Sequence, residues 1–324
     1  MKQIYITRKI PDVGIKMLQD KGYTVDFYSK DAVPSQKDII KALRKKPYDA
    51  VISLLTDKID AKVFDAAPSA KIFANYAIGF DNIDLVEAQK RGVLVTNTPG
   101  DYSECVAEHA IAMMLALATR MVEADQYVRD GKYKGWAPLH FVGTDILDKT
   151  FGIIGAGQIG TRAAVIAKQA FRMKIIYTDV VRNTKLEQEF GAEYRATPEE
   201  VLKEADVVSL HTPLLPATHH LIDANRLAMM KPTAFLVNTS RGAVIDEVAL
   251  VTALKNKTIA GAGLDVFEFE PKISKGLAKL DNVILTPHIA SASVTARDEM
   301  AVIAAKNVIE FLEGHTPPNL VVLK

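Results

Sequence analysis

Three ionisable residues stand at or just beyond the ends of apolar runs in the second half of the chain: Arg241 after AFLVNTS, Glu270 after AGAGLDVFEF and His288 after NVILTP. In open α/β sheets, ligands bind in the crevice outside the carboxyl ends of the strands, so chain order predicts that these three converge on one crevice. Their types suit one reaction. Reduction of a 2-oxo acid needs a hydride donor, a proton for the carbonyl oxygen and an anchor for the carboxylate. Arg241 can fork onto the carboxylate and polarise the carbonyl with a donor that never deprotonates. His288 can protonate the developing alkoxide and take the proton back in oxidation, because imidazole titrates near neutrality. Glu270 can hold the ring nitrogen remote from substrate and favour the imidazolium. On position alone, a histidine after a strand is more often satisfied structure, an arginine a surface ion pair, and a glutamate before proline a solvated turn charge. Their joint appearance beside a nucleotide fingerprint shifts the weight to chemistry.

That fingerprint is GIIGAGQIG, a GxGxxG at Gly155, Gly157 and Gly160 that follows an apolar strand and opens a helix, with Gln158 and Ile159 between the last two glycines. Gly155 permits the tight turn, Gly157 lets backbone approach a pyrophosphate and Gly160 lets helix and strand pack closely. The helix N-terminus adds free amide donors and a positive dipole end. The next strand, KIIYTD, ends in Asp179, 19 residues beyond Gly160. A carboxylate there can accept from ribose hydroxyls and repel an extra phosphate, so NAD(H) is the preferred cofactor. Arg182 could reach a 2′-phosphate, which leaves NADP(H) open, and a glycine turn beside a surface aspartate is the competing structural reading.

The elements that must position these groups follow from pattern. At 324 residues and 35.5 kDa the chain exceeds one typical domain. Forty basic and 39 acidic residues give a net charge of +1, so bulk charge points to neither nucleic acid nor membrane. The single cysteine, Cys105, is expected as a buried small side chain in a reducing compartment. MKQIYITRKIP reads as a strand, so no secretory signal is expected, and the apolar run AIAMMLALA is far short of a membrane span. A soluble cytoplasmic protein without a metal site is the expectation. Short β-branched runs alternate with helical patterns, predicting an α/β protein of two doubly wound parallel-sheet domains. Candidate strands in the first third are QIYIT, YTVDFY, DAVISLL, KIFANYA and VLVTNTP; six more, from FGIIGAG to NVILTPH, form the nucleotide-binding domain. The stretch DYSECVAEHAIAMMLALATRMVEADQYVRDG reads as one long helix, and TPEE as a capping box of Thr197 and Glu200 with Pro198 at the first helical position.

With these residues in view, the chain resembles the D-isomer-specific 2-hydroxyacid dehydrogenase family, and within it the glyoxylate/hydroxypyruvate reductases. The similarity runs through NYAIGFDNID, RGVLVTNTPG, GIIGAGQIG, VVSLHTPLLPATHHLI, MMKPTAFLVNTSRGAVID, AGAGLDVFEFEP and LTPHIAS. The resemblance implies that Arg241 binds substrate, Glu270 supplies the carboxylate and His288 the acid/base. It implies a Rossmann cofactor domain, residues 101–290, inserted in a flavodoxin-like substrate domain of residues 1–100 and 291–324. It places Thr239, Ser240 and Asp265 near the nicotinamide, and His211, Thr212 and Pro213 along the cofactor cleft. Ile78 and Gly79 are implied to receive the substrate carboxylate through their amides, and Leu54 to pack near its side chain. Trp136 and Phe141 lie in a segment similar to one that reaches a neighbouring subunit, interface packing being the alternative. The family also implies a homodimer through the helix beginning near Asp101. His219 and His220 are read as ordinary surface or local packing.

Some features depart from relatives of the same family. No regulatory domain follows PPNLVVLK, which argues against the longer phosphoglycerate dehydrogenases, and glutamate rather than glutamine precedes Pro271, which disfavours formate dehydrogenase. NYAIG lacks the lysine of similar phosphite dehydrogenases, and Asp179 sets the chain apart from the NADP-preferring reductases. The expected activity is reduction of glyoxylate or hydroxypyruvate to a 2-hydroxy acid, D where chiral. A D-lactate dehydrogenase and a cofactor-sensing binding protein like the family's corepressors are the alternatives.

Overall fold

β-Branched and aromatic runs become parallel strands throughout the chain, and the helical patterns between them become crossovers. The computed structural model describes residues 1–30, 32–100 and 102–322. It divides into one unit of Met1–Tyr102 with Ala292–Lys324 and a second of Ser103–Ser291.

In the first unit, β1 (Gln3–Ile6), β2 (Thr24–Phe27), β3 (Ala50–Leu54), β4 (Ile72–Tyr76) and β5 (Leu94–Thr96) form a parallel sheet in the order β2-β1-β3-β4-β5, the flavodoxin-like order. The connections carry α1 (Asp12–Asp20), α2 (Gln36–Leu43), α3 (Ala61–Ala66) and α4 (Leu85–Lys90). Side chains of Ser35, Asp60 and Asp84 accept from first-turn amides and so start α2, α3 and α4 where the sequence places cap formers.

The second unit opens with α5 (Ser103–Ala118) and α6 (Met121–Arg129). The sequence predicts one helix here, and the structure corrects this: the two are bent by 65° at a break where Arg120 takes a left-handed φ of 56°. The cause is distant in sequence, because the Ala118 carbonyl that should continue the ladder accepts from Thr144 N at 2.8 Å, and a β-carbon on Gly143 would strike it. No single helix among the described residues is long and apolar enough to cross a membrane. Asp101, named as the start of the dimer helix, lies outside the described residues.

The sheet of this unit comprises β6 (Thr150–Ile154), β7 (Lys174–Thr178), β8 (Glu193–Tyr194), β9 (Val207–Leu210), β10 (Phe235–Asn238), β11 (Gly261–Leu264) and β12 (Val283–Leu285), in the order β12-β11-β10-β9-β6-β7-β8. Seven strands replace the six expected, since β8 is two residues long and carries no readable alternation. The order reverses between β6 and β9, and that switch point is where a doubly wound sheet opens its ligand crevice. The helices α7 (Gln158–Phe171), α8 (Thr184–Phe190), α9 (Pro198–Glu204), α10 (Ala224–Leu227) and α11 (Glu247–Lys255) cover its faces. Returning to the first unit, α12 (Val294–Leu312) lies so close to α1 that a β-carbon on Gly14 would meet the Ala301 carbonyl oxygen at 2.6 Å.

Two smaller expectations are also corrected. Pro198 does open α9, but Thr197 caps nothing with its side chain, and Glu200 accepts instead from Ala196 N at 3.2 Å. Cys105 is half-buried, because it faces the edge of α5 and not its packed stripe.

Candidate active site

The nucleotide turn is built first, at the end of β6. Gly155 has φ 97°, and a β-carbon there would lie 2.8 Å from the His211 backbone, so only glycine lets the turn pass beneath the next strand end. A β-carbon on Gly160 would collide with the Gly155 carbonyl oxygen, while the same position on Gly157 meets nothing within 4 Å. Gly157 is the N-cap of α7, and Gln158 and Ile159 begin its first turn, leaving the helix amides open to an anion. Asp179 stands just past β7 and accepts from Ala156 N at 2.7 Å and Val181 N at 3.3 Å. It therefore shapes the glycine turn as well as offering charge to a ribose. Arg182 is drawn away from it, forked onto Glu187 at 3.1 and 2.7 Å with its guanidinium 5.1 Å from the Tyr194 ring centre.

Along the crevice, His211, Thr212 and Pro213 follow β9, and Thr239 follows β10. Thr212 Oγ1, Thr239 Oγ1 and His211 Nδ1 are buried and make no hydrogen bond among the described residues, which is the state expected of groups kept for a bound dinucleotide. The residues present thus fit a nicotinamide dinucleotide. His211 Nε2 pairs with Ser209 Oγ at 2.8 Å, and burial pushes the imidazole pKa down to about 4. Because the folded value lies below the unfolded one near 6.5, the unfolded chain takes up this proton first as pH falls. Stability is therefore expected to drop by up to about 3 kcal/mol between pH 6.5 and 4 on this account. Urea unfolding of His211→Gln across that window should show a shallower slope; an unchanged slope would assign the loss to other groups.

The ionisable groups come next. Buried Asn238, the last residue of β10, accepts from Ser240 N at 3.0 Å and Ser240 Oγ at 2.8 Å, and its amide donates to the Arg241 carbonyl at 2.9 Å. This knot turns the chain so that Arg241 leaves the strand end, with Nη1 donating to the Ser240 carbonyl at 2.9 Å. Gly242 then packs directly on the Phe267–Glu268 backbone, where any β-carbon would overlap the Phe267 carbonyl. Asp265, fully buried, accepts from Thr286 Oγ1 at 2.6 Å and from the amides of Ile289 and Ala290, each at 2.8 Å. His109 of α5 supports the same knot, 3.1 Å from Thr286 Oγ1 and 3.5 Å from Asp265 Oδ1. The His288 amide donates to the Asp265 carbonyl at 2.8 Å, and His288 itself has a left-handed φ of 56°.

This geometry brings His288 and Glu270 together, Nδ1 to Oε2 at 3.0 Å, and leaves Nε2 as the nitrogen available to an outside group. Glu270 Oε1 accepts from Phe267 N at 3.0 Å. Burial alone would raise the Glu270 carboxyl, but the bond and charge of His288, the Phe267 amide and the Arg241 charge outweigh it and hold it below the usual carboxylate range. The charge of Arg241 therefore bears on the same pair.

Several supporting residues escape sequence reading. Glu247, 2% exposed at the start of α11, accepts from Glu268 N at 2.9 Å and from Ser274 N, and so clamps both sides of the Glu270 loop. His109 and Thr286 act the same way through contacts remote in sequence, whereas Asn238 acts locally on Ser240 and Arg241; Asn238 lies in the motif NTSRG and Thr286 in LTPHIAS. The remaining predicted residues lie elsewhere. Leu54 ends β3 with its amide on buried Asp57 at 2.7 Å, and Ile78 and Gly79 follow β4, their carbonyls held by Asn97 at 2.7 Å and Asn75 at 2.9 Å. Trp136 is 85% exposed, and Phe141 packs against Tyr127 at 5.1 Å between ring centres.

Comparison with known proteins places this architecture. Residues 111–290 match the family model for the NAD binding domain of D-isomer specific 2-hydroxyacid dehydrogenases. The chain is 49% identical over 323 residues to a glyoxylate reductase of Thermococcus litoralis, covering 98% of this chain and 96% of that one. A crystal structure from Thermus thermophilus superposes with a TM-score of 0.91 at 40% identity, covering 99% and 100% of the two chains. An NADPH-dependent glyoxylate/hydroxypyruvate reductase of Sinorhizobium meliloti, in complex with NADP and malonate, gives 0.85 at 30% identity over 99% and 97%. With a nucleotide turn at the sheet's switch point and a histidine–carboxylate pair on the same sheet's carboxyl edge, the chain belongs to the D-isomer-specific 2-hydroxyacid dehydrogenases.

Proposed function

We propose that this enzyme reduces small 2-oxo acids, glyoxylate and hydroxypyruvate foremost, with NADH as the preferred donor. The observation that carries the reading is the His288–Glu270 pair, 3.0 Å apart, with Nε2 turned from the carboxylate. The glycine turn, α7 and Asp179 would hold the dinucleotide, whose nicotinamide supplies the hydride when bound. Arg241 grips the substrate carboxylate in a fork and draws charge toward the carbonyl oxygen. His288 Nε2 then gives its proton to that oxygen as the carbon is reduced, and Glu270 stabilises the imidazolium at Nδ1. In oxidation the same nitrogen accepts the hydroxyl proton. We keep for Ile78 and Gly79 the role of amide donors to the carboxylate, and for Leu54 that of a side-chain neighbour. The similar reductases support the substrate choice. Absorbance of NADH and NADPH with glyoxylate, hydroxypyruvate and pyruvate, each alone, tests it: rapid NADH oxidation with either of the first two is expected. Pyruvate as the best substrate would make it a lactate dehydrogenase, since one methyl is worth only roughly 1–3 kcal/mol in an apolar pocket.

Asp179 carries the cofactor preference, and its hydrogen bond to Ala156 N makes Asp179→Asn the informative change, because the amide oxygen can keep the turn while the charge is lost. The ratio of NADH to NADPH kcat/KM is expected to fall roughly 10–100-fold, the worth of hydrogen bonds to a charged acceptor. An unchanged ratio would assign the preference to another residue.

The reading includes a homodimer. Helix α6 buries no residue within its own unit, and Met121, Val122, Val128, Trp136 and Leu139 are exposed apolar side chains of the kind that self-association covers. A sedimentation-equilibrium mass near 70 kDa is expected, about twice the 35.5 kDa chain, and a mass near that of one chain would overturn the dimer.

A further inference from the structure

Among the described residues, one group of three side chains outside the active-site pair brings its ligand atoms together as a metal would need. His219, His220 and Glu268 place nitrogen and carboxylate atoms within 4.8 Å of one another. We propose that these three form a binding site for a zinc-type divalent cation, and that its occupancy slows the reaction proposed above by displacing the loops that carry Arg241 and Glu270.

The donor set comes first. Two imidazoles and one carboxylate form a borderline-soft trio that suits zinc and leaves a fourth position for solvent. His220 Nε2 and Glu268 Oε1 are hydrogen-bonded at 2.7 Å. Tetrahedral zinc with ligands at about 2.0–2.1 Å sets them about 3.3 Å apart, so the pair has to open by only about half an ångström, with the metal replacing the proton. The His219 ring already lies over that of His220, with centres 4.0 Å apart, and it is exposed and able to rotate its nitrogen into the site. Backbone strain supports a designed placement: His220 has a left-handed φ of 50°, which a histidine rarely adopts, and its amide is tied to the Ala243 carbonyl at 2.8 Å.

The same contacts couple the cluster to the chemistry. Ala243 is two residues from Arg241, and the intervening Gly242 packs on the Phe267–Glu268 backbone. Glu268 exchanges hydrogen bonds with Glu247 at 2.9 and 3.2 Å, and Phe267 N holds Glu270 at 3.0 Å. Opening the His220–Glu268 pair therefore pulls on both loops at the point where they touch.

The test uses the full-length chain without a histidine tag, titrated with zinc chloride by calorimetry near pH 7.5. One zinc per chain at micromolar affinity is expected, with at least tenfold weaker binding in His219→Ala and in Glu268→Gln, and unchanged binding in His315→Ala. No zinc binding to the wild-type chain, or equal binding in His219→Ala, overturns the site. His219→Ala should keep basal turnover, and zinc should lower turnover of the wild-type enzyme at least fivefold more than that of this variant. Zinc binding at the site with no such difference overturns the coupling, and a chain without turnover under any condition counts against the reading of function while the calorimetry still decides the site.

Discussion

Replacing His288 by alanine is expected to lower kcat for reduction by roughly 10²–10⁴-fold, the range of a lost general acid. Cofactor affinity should stay within a few-fold, because the glycine turn, Asp179 and α7 are built on β6 and β7 and share no hydrogen bond with His288. The ring is placed by three long-range contacts: its amide on the Asp265 carbonyl, the Asp265 carboxylate on the next two amides, and Nδ1 on Glu270. Alanine leaves the first two intact, so the turn should persist and the loss should fall on the chemical step. Glu270→Gln gives the companion result. It keeps a hydrogen-bonding partner for the ring but removes the negative charge beside it, so kcat in reduction should fall, by less than in His288→Ala, while NADH affinity stays within a few-fold. Single-turnover NADH oxidation separates the step from release. Near-normal rates in His288→Ala would remove His288 from the mechanism.

The fold was largely legible because its signals are local. Strands β7, β10 and β12 each hold an apolar run of three residues, and most crossovers of the second sheet carry a helix. What was not legible depended on partners far along the chain. The break after Ala118 has no glycine or proline to announce it; Thr144 N takes the carbonyl from 26 residues away. Glu200 fits the capping pattern in sequence, but its carboxylate reaches Ala196 N instead of the cap residue.

The candidate site divides along the same line. Arg241, Glu270 and His288 stand out because strand ends are where ionisable groups can converge, and chain order alone marks those ends. Glu247 reads as an ordinary acidic first-turn residue, and its grip on the amides of Glu268 and Ser274 becomes visible only when the loop is folded over α11. His109 lies within an apolar helix, and nothing in its neighbours forecasts Thr286 as its partner, 177 residues on. Chemistry is written in residue types, whereas the scaffold that aims it is written in tertiary contacts.

Arg241→Gln is expected to reduce kcat/KM for glyoxylate by roughly 10²–10³-fold, corresponding to about 3–4 kcal/mol for a charged anchor lost from a paired site. The backbone knot at Asn238 holds the Arg241 carbonyl, not its guanidinium, so the loop should survive the substitution and the melting temperature should move little. Arg241→Lys separates charge from shape: an ammonium keeps the attraction but cannot fork, so a smaller loss of roughly 10-fold is expected, mostly in KM. A second signature distinguishes anchoring from general damage. Because the Arg241 charge helps to hold Glu270 low, removing it should raise the carboxyl toward its ordinary value and move the acid limb of the pH–rate profile upward. Both effects together would support a guanidinium that grips the substrate beside the proton relay. If Arg241→Gln instead lies within threefold of the wild-type enzyme, the carboxylate must be gripped elsewhere, and the amides of Ile78 and Gly79 become the first place to look.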